Sequence, residues 1–180
     1  MNKVVFVALE EEFPIRYAPD NINVVYTGIG KVNAAKTVAR YLTANPHVEV
    51  VYNYGTAGAA DNSVAGELLA VNALVERDMD LTPLGLPKFV TKEYQVPFIY
   101  TNNRDTEIIC GTGDSFARPD DPYHIVDMEA YAIANVCRSF GISQIYVYKY
   151  ISDTDDDVDP GEAWKENVSK GAKKFKNVLT

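Results

Sequence analysis

Residues 4–9 read VVFVAL, an unbroken apolar and largely β-branched run. A run with no polar face predicts a strand covered on both sides, as in sheets sandwiched between helices. The pattern returns at Ile22–Tyr26 (INVVY), at residues 48–54 and at residues 144–151 (QIYVYKYI). Shorter strands are expected at residues 68–75, Phe98–Tyr100 and 107–110. The runs at 48–54 and 107–110 abut small-residue turns, Gly55-Thr56-Ala57-Gly58 after residue 54 and Gly111-Thr112-Gly113 after residue 110. Between the strands, Val32, Ala35, Val38, Ala39 and Leu42 fall at helical spacing, with Asn45-Pro46 as the stop. Met128, Ala132, Val136 and Phe140 form a second stripe, closed by Gly141. A final helix has Asp159 as N-cap, Pro160 as its first residue and Glu162 at the capping-box position. Its buried face is expected to carry Trp164, Val168, Phe175 and Leu179, while Lys170, Lys173, Lys174 and Lys176 suit its negative end. Strands alternating with helices predict one α/β domain over residues 1–180, without repeats or linkers.

At 180 residues and 47% hydrophobic content, one substantial core can form. The net charge of −8 argues against a nucleic-acid partner. No apolar run approaches the roughly 20 residues of a bilayer span, and no signal-peptide pattern opens the chain. The expectation is a soluble, cytoplasmic protein without a membrane partner. Cys110 and Cys137 sit in apolar contexts and are expected as buried free thiols. His47 and His124 lack the spacing of a zinc site, and no Ser-His-Asp order stands out, so neither metal nor cofactor is expected.

Three carboxylates occupy strand ends or helix starts, where open α/β sheets hold ligands: Glu12, Glu129 and Asp153. Gly28-Ile29-Gly30 before a helix lacks the third glycine of a dinucleotide fingerprint, and alone it reads as a tight strand-to-helix turn. Alone, too, Phe116 reads as core, Met128-Glu129 as core plus cap, and Asp155-Asp156-Asp157 as a solvated loop.

Together the motifs say more. Glu10-Glu11-Glu12, Thr27-Gly28-Ile29-Gly30-Lys31-Val32, Gly55-Thr56-Ala57-Gly58-Ala59, Gly113-Asp114-Ser115-Phe116, Val126-Asp127-Met128-Glu129-Ala130 and Ser152-Asp153 follow in order over nearly the whole chain. The set resembles the purine nucleosidase branch of the nucleoside phosphorylase superfamily. That resemblance implies a central twisted mixed β-sheet flanked by helices. It implies hydrolysis of a purine nucleoside, adenine favoured, such as methylthioadenosine or S-adenosylhomocysteine, to free base and sugar. Glu12 would be general base on the attacking water, and Asp153 the acid that assists the departing purine at N7, a task suited to a carboxyl with a raised pKa. Phe116 would stack on the base, Ala117 would bond the base edge through its backbone, and Met128 would pack beneath the ribose. Glu129 would accept bonds from the ribose hydroxyls and offset its oxocarbenium charge. Gly30, Thr56, Ala57, Gly58 and Ser152 would complete the pocket. The partners implied are a nucleoside, water and a second copy of the chain. In such a homodimer, the apolar loop at residues 81–89, with Leu84, Leu86 and Phe89, would cover the 5′ end of the nucleoside held by the other subunit.

Two alternatives remain at this level. Phosphorylases of the superfamily carry an arginine two residues before the glycine of the middle turn, where this chain has Asn53. A phosphate dianion beside three glutamates without such a clamp would be repelled, which favours water. A non-catalytic storage protein would have no need of the three acids. The stretches 13–26 and 118–125 are shorter than in typical members and Tyr131 replaces a small residue, which leaves the 5′-substituent open.

Overall fold

The computed structural model describes residues 1–91, 97–120 and 122–180; residue 121, within the shortened 118–125 stretch, lies outside the described residues. The first apolar run becomes β1 (Asn2–Val7), and its side chains divide by parity between two cores. Val4 and Phe6 pack with Ala34, Val38 and Leu42 of α1 (Lys31–Ala44) and with Ile133 of α2 (Ala130–Ser139). Val5 and Val7 face the other way, onto Phe13, Tyr54 and the Phe175 and Leu179 of α4 (Ala172–Leu179). The period-two alternation of a strand thus explains why every position in the run is apolar.

β2 (Ile22–Tyr26) and β3 (Val48–Ala59) flank β1 in parallel, and β9 (Gln144–Thr154) adds in parallel to β3. The remaining strands are β4 (Leu68–Val71), β5 (Ala73–Glu76), β6 (Phe98–Tyr100), β7 (Ile109–Thr112) and β8 (Ile125–Asp127). The main path runs β2-β1-β3-β8-β7-β5-β6, with β9 on β3 and β4 on β9. β8 lies antiparallel to β3, so the sheet is mixed, as expected. Because β1, β3 and β9 are parallel, their carboxyl ends open on one side of the molecule.

Several local expectations need correction. Gly55-Thr56-Ala57-Gly58 is no turn: β3 continues through it to Ala59, because β9 supplies ladder partners as far as Thr154. The small residues serve close approach instead, since a Cβ on Gly58 would lie 2.7 Å from Asp153 Oδ2. The register shifts between Ala57 and Gly58, a bulge that sets Gly58 opposite Asp153. Likewise Gly111 lies within β7, its bare Cα against the Tyr123 ring. The expected strand at 68–75 is two strands: Asn72 donates its N–H to Ile108 O at 2.8 Å and the chain changes partners, from β9 to β6 and β7.

The final helix is also two, α3 (Pro160–Asn167) and α4. The chain breaks near Gly171, whose backbone presses so closely on Tyr54 and Tyr150 that a Cβ there would lie 2.4 Å from each. Asp159 caps α3 through Gly161 N and Glu162 N, but Glu162 pairs with Lys165 instead of closing a capping box, and Val168 is only half-buried. Cys110 and Cys137 are buried and free. In the 81–89 loop Leu84 is exposed, Leu86 half-buried, and Phe89 packs edge-on to Tyr123 with centroids 6.3 Å apart. Among the described residues no helix is long and apolar enough to cross a membrane.

Candidate active site

The carboxyl ends of β1, β3 and β9, the residues before α1 and α2, and one face of α3 enclose a cavity of about 240 Å³. Against roughly 30 Å³ for a water in the liquid, that leaves room for a small heterocycle. Glu12, Thr56, Ala57, Gly58, Phe116, Ala117, Met128, Glu129, Ser152 and Asp153 all line it. Gly30 lies one step behind: at φ 90° it takes a conformation that favours glycine, and its N–H reaches Glu129 Oε1 at 2.7 Å.

Glu12 is buried in the loop after β1 and is held at both oxygens. Oε1 accepts from Thr56 N and Thr56 Oγ1, each at 2.8 Å, and Oε2 from Leu9 N at 3.2 Å. Burial raises its pKa, opposed by the Thr56 donors and by the Lys149 charge. A carboxylate raised in this way is a better base than one in water.

Glu129 sits between β8 and α2. Burial first, and then the Asp127 charge, push its pKa up to about 8, against the pull of Lys149 and the Gly30 N–H. Asp127, not Glu129, caps α2: its Oδ2 accepts from Glu129 N at 3.2 Å and Ala130 N at 2.8 Å. The same oxygen lies 2.7 Å from Lys149 Nζ, in an ion pair whose side chains are 0% and 1% exposed, and Oδ1 accepts from Thr112 Oγ1 at 2.5 Å. Burial raises the Asp127 pKa, but the Lys149 ammonium and the donors outweigh it, so the carboxyl is held below its ordinary value.

Asp153, near the end of β9, faces the third wall. Its Oδ1 accepts from Ser152 Oγ at 2.7 Å, and its Oδ2 packs on Gly58. Burial raises its pKa, opposed by the Ser152 hydroxyl and reinforced by Asp157. That direction suits an acid that must keep its proton near neutrality.

Phe116 is 66% exposed at the mouth, so it is not core, and its face is free to cover a flat ligand. The preceding loop is held by Arg77, which donates to Gly113 O at 3.2 Å and to Ser115 O. Asp114 takes Lys31 N at 2.8 Å, anchoring the loop to α1. Asn53 does not reach the cavity: it is buried, and its Nδ2 donates to Phe6 O at 3.1 Å. The argument against phosphate therefore moves to the wall itself. Among the described residues the lining contains Glu12, Asp127, Glu129 and Asp153 and no lysine, arginine or histidine.

Sequence reasoning missed Trp164, whose indole N–H reaches Thr56 Oγ1 at 2.8 Å inside the cavity. It also missed Lys149 beneath it. A lone lysine within the apolar run QIYVYKYI was the available signal, since a charge in a buried strand needs a partner. No group of three or more His, Cys, Asp or Glu among the described residues is placed to hold a metal ion.

No family model matches the chain. A 5′-methylthioadenosine/S-adenosylhomocysteine nucleosidase from Anoxybacillus flavithermus is 31% identical over 153 residues, covering 71% of this chain and 66% of that protein. The chain spans about two thirds of the length of the curated relatives it matches, 66%, 68% and 63% for three of them. The solved structure of such a nucleosidase from Helicobacter pylori, with butyl-thio-DADMe-Immucillin-A, superposes with a TM-score of 0.83 at 24% identity, covering 99% of this chain and 96% of that one. Futalosine hydrolase of Helicobacter pylori superposes equally well, with a TM-score of 0.83 at 23% identity over 98% and 94% of the two chains. These superpositions establish the fold.

Proposed function

We propose that this chain is a member of the nucleoside phosphorylase superfamily that hydrolyses the N-glycosidic bond of a purine nucleoside, by its likeness to a nucleosidase in sequence and in fold. The observation that carries the reading is the convergence of Glu12, Glu129 and Asp153 on one cavity with an exposed aromatic at its mouth and, among the described residues, no cation in its wall. Phe116 covers the base. Asp153, protonated, gives its proton or a short hydrogen bond to purine N7 as the C1′–N9 bond lengthens, so the base leaves neutral. Glu129 in its ionised form accepts from the ribose hydroxyls and offsets the charge that develops on the sugar. Glu12 draws a proton from a water, whose oxygen then bonds to C1′. The ionised Glu12 and Glu129 repel a phosphate dianion, and among the described residues the wall offers no cation to hold one, so water is the nucleophile.

Methylthioadenosine and S-adenosylhomocysteine are the favoured substrates, by likeness to relatives that carry those names. The fold match to futalosine hydrolase favours a second reading, in which the same machinery takes futalosine. We also place the protein in the cytoplasm, in methionine salvage, as a homodimer. The exposed Leu84 beside half-buried Leu86 supports the dimer, although Phe89 packs on its own chain. Sedimentation at micromolar concentration tests it: a fully active monomer removes the shared-site idea. For the activity, methylthioadenosine, S-adenosylhomocysteine, futalosine and inosine are each incubated with and without phosphate. Free base at a rate indifferent to phosphate is expected; no base from any nucleoside overturns the reading.

A further inference from the structure

Trp164 is the single tryptophan of the chain, and it points into the cavity instead of along a buried helix face. Its Nε1–H donates to Thr56 Oγ1 at 2.8 Å, and that oxygen lies 2.8 Å from Glu12 Oε1. An indole N–H can only donate, whereas a hydroxyl has one proton and two lone pairs. With one lone pair occupied by Trp164, the hydroxyl proton is left to Glu12. The Thr56 backbone N–H meets the same carboxylate oxygen at 2.8 Å, so the two donors form a fork. α3, which carries Trp164, is tied down at its far end by Asn167 Nδ2, which donates to Ser152 O at 2.8 Å, next to Asp153. One short helix thus grips the strand ends that carry both Glu12's partner and the acid.

We propose that Trp164 is a positioning residue: its N–H commits the Thr56 hydroxyl to Glu12 and so fixes the orientation of that carboxylate and favours its ionised form. The functional consequence rests on the nucleosidase reading above; the relay itself is a property of the free protein. Among the described residues, the other titratable groups acting on or near Glu12 are Lys149 from β9, Glu129 at the β8–α2 junction and Tyr54 from β3, with Asp127 on the same cavity wall. None of them is altered by Trp164→Phe, which keeps an aromatic ring of smaller size and removes the N–H donor. The sign follows from the balance at Glu12. Burial raises its pKa and the Thr56 donors pull it back, so weakening that pull moves it further up.

Two measurements decide the matter. With one tryptophan, the protein gives one indole ¹⁵N–¹H resonance. In the wild type it should shift with an inflection as Glu12 titrates, and in Glu12→Gln that inflection should vanish. In Trp164→Phe the acidic limb of kcat/KM against pH should move up by about half a unit, roughly a threefold loss on the acid side, with the alkaline limb in place. In a Thr56→Val background the same change should move nothing further. An indole resonance that shows no inflection, or an acidic limb unmoved by Trp164→Phe, overturns the proposal. Should Trp164→Phe fail to fold, the indole titration still decides. A wild type that cleaves no nucleoside refutes the nucleosidase reading, and the relay is then judged by the resonance alone.

Discussion

Lys149→Met tests the physical logic beneath the cavity. The side chains of Lys149 and Asp127 are 1% and 0% exposed and meet at 2.7 Å. Removing the ammonium leaves a buried carboxylate with the donors Thr112 Oγ1, Glu129 N, Ala130 N and the weak Cys110 Sγ, and no counter-charge. Breaking a buried pair from one side destabilises by about 3–5 kcal/mol, a large part of a domain's total of roughly 5–15 kcal/mol. The pH dependence carries the sharper signature. In the wild type Asp127 is held low, so its contribution is present above the unfolded carboxylate range and lost as pH falls through its folded pKa. Lys149 is held high, so its contribution is present below the ordinary lysine value, about 10.4, and lost above its folded pKa. Around neutrality the pair contributes a constant amount. In Lys149→Met, burial of Asp127 is opposed only by its hydrogen-bond donors and no longer by a cation, which lifts its pKa above the unfolded value, so the variant's deficit should grow from acid to neutral pH. Urea unfolding at pH 5 and pH 7.5 measures it. A loss below about 1 kcal/mol, or one equal at the two pH values, would refute the argument.

Gly58→Ala would set a methyl 2.7 Å from Asp153 Oδ2 and displace the carboxyl; turnover should fall while the circular dichroism is kept, and wild-type turnover would show that the contact is unimportant. Asp153→Asn and Glu12→Gln should each lower kcat by about 10²-fold or more, in keeping with general acid and base roles; an undiminished Asp153→Asn would move leaving-group activation to another residue. Glu129, raised to about 8 by burial and then by Asp127, binds its proton more tightly folded than unfolded. Stability should therefore decline as pH rises from the ordinary glutamate range, about 4.3, to about 8, and Glu129→Gln should flatten that decline in melting temperatures taken from pH 5 to 9.

The buried strands were legible because their periodicity is a local signal: VVFVAL already contains the two faces that Val4 and Val5 take up. The ends of elements were less so. Nothing local distinguishes Gly55-Thr56-Ala57-Gly58 as a turn from the same residues as a strand whose neighbours need the space, because the ladder that extends β3 belongs to β9. The split at Asn72 is likewise decided by partners distant in sequence. For the cavity, the resemblance supplied residues that do meet, but not Trp164 or Lys149. Trp164 sits on an apolar stripe in the sequence, whereas the break between α3 and α4 falls near Gly171, which is pressed against Tyr54 and Tyr150, contacts distant in sequence. Asn53 had the right sequence position and faces the core instead.

The central claim is that water, admitted to a cavity walled by carboxylates, takes the purine's place at the anomeric carbon. Cleavage of methylthioadenosine in ¹⁸O-enriched water containing phosphate, with the sugar product analysed by mass spectrometry, tests it most directly. The account predicts one ¹⁸O atom in the sugar at C1, free adenine in equal amount, and the loss of both in Asp153→Asn. A sugar 1-phosphate, or a sugar without the label, would contradict it.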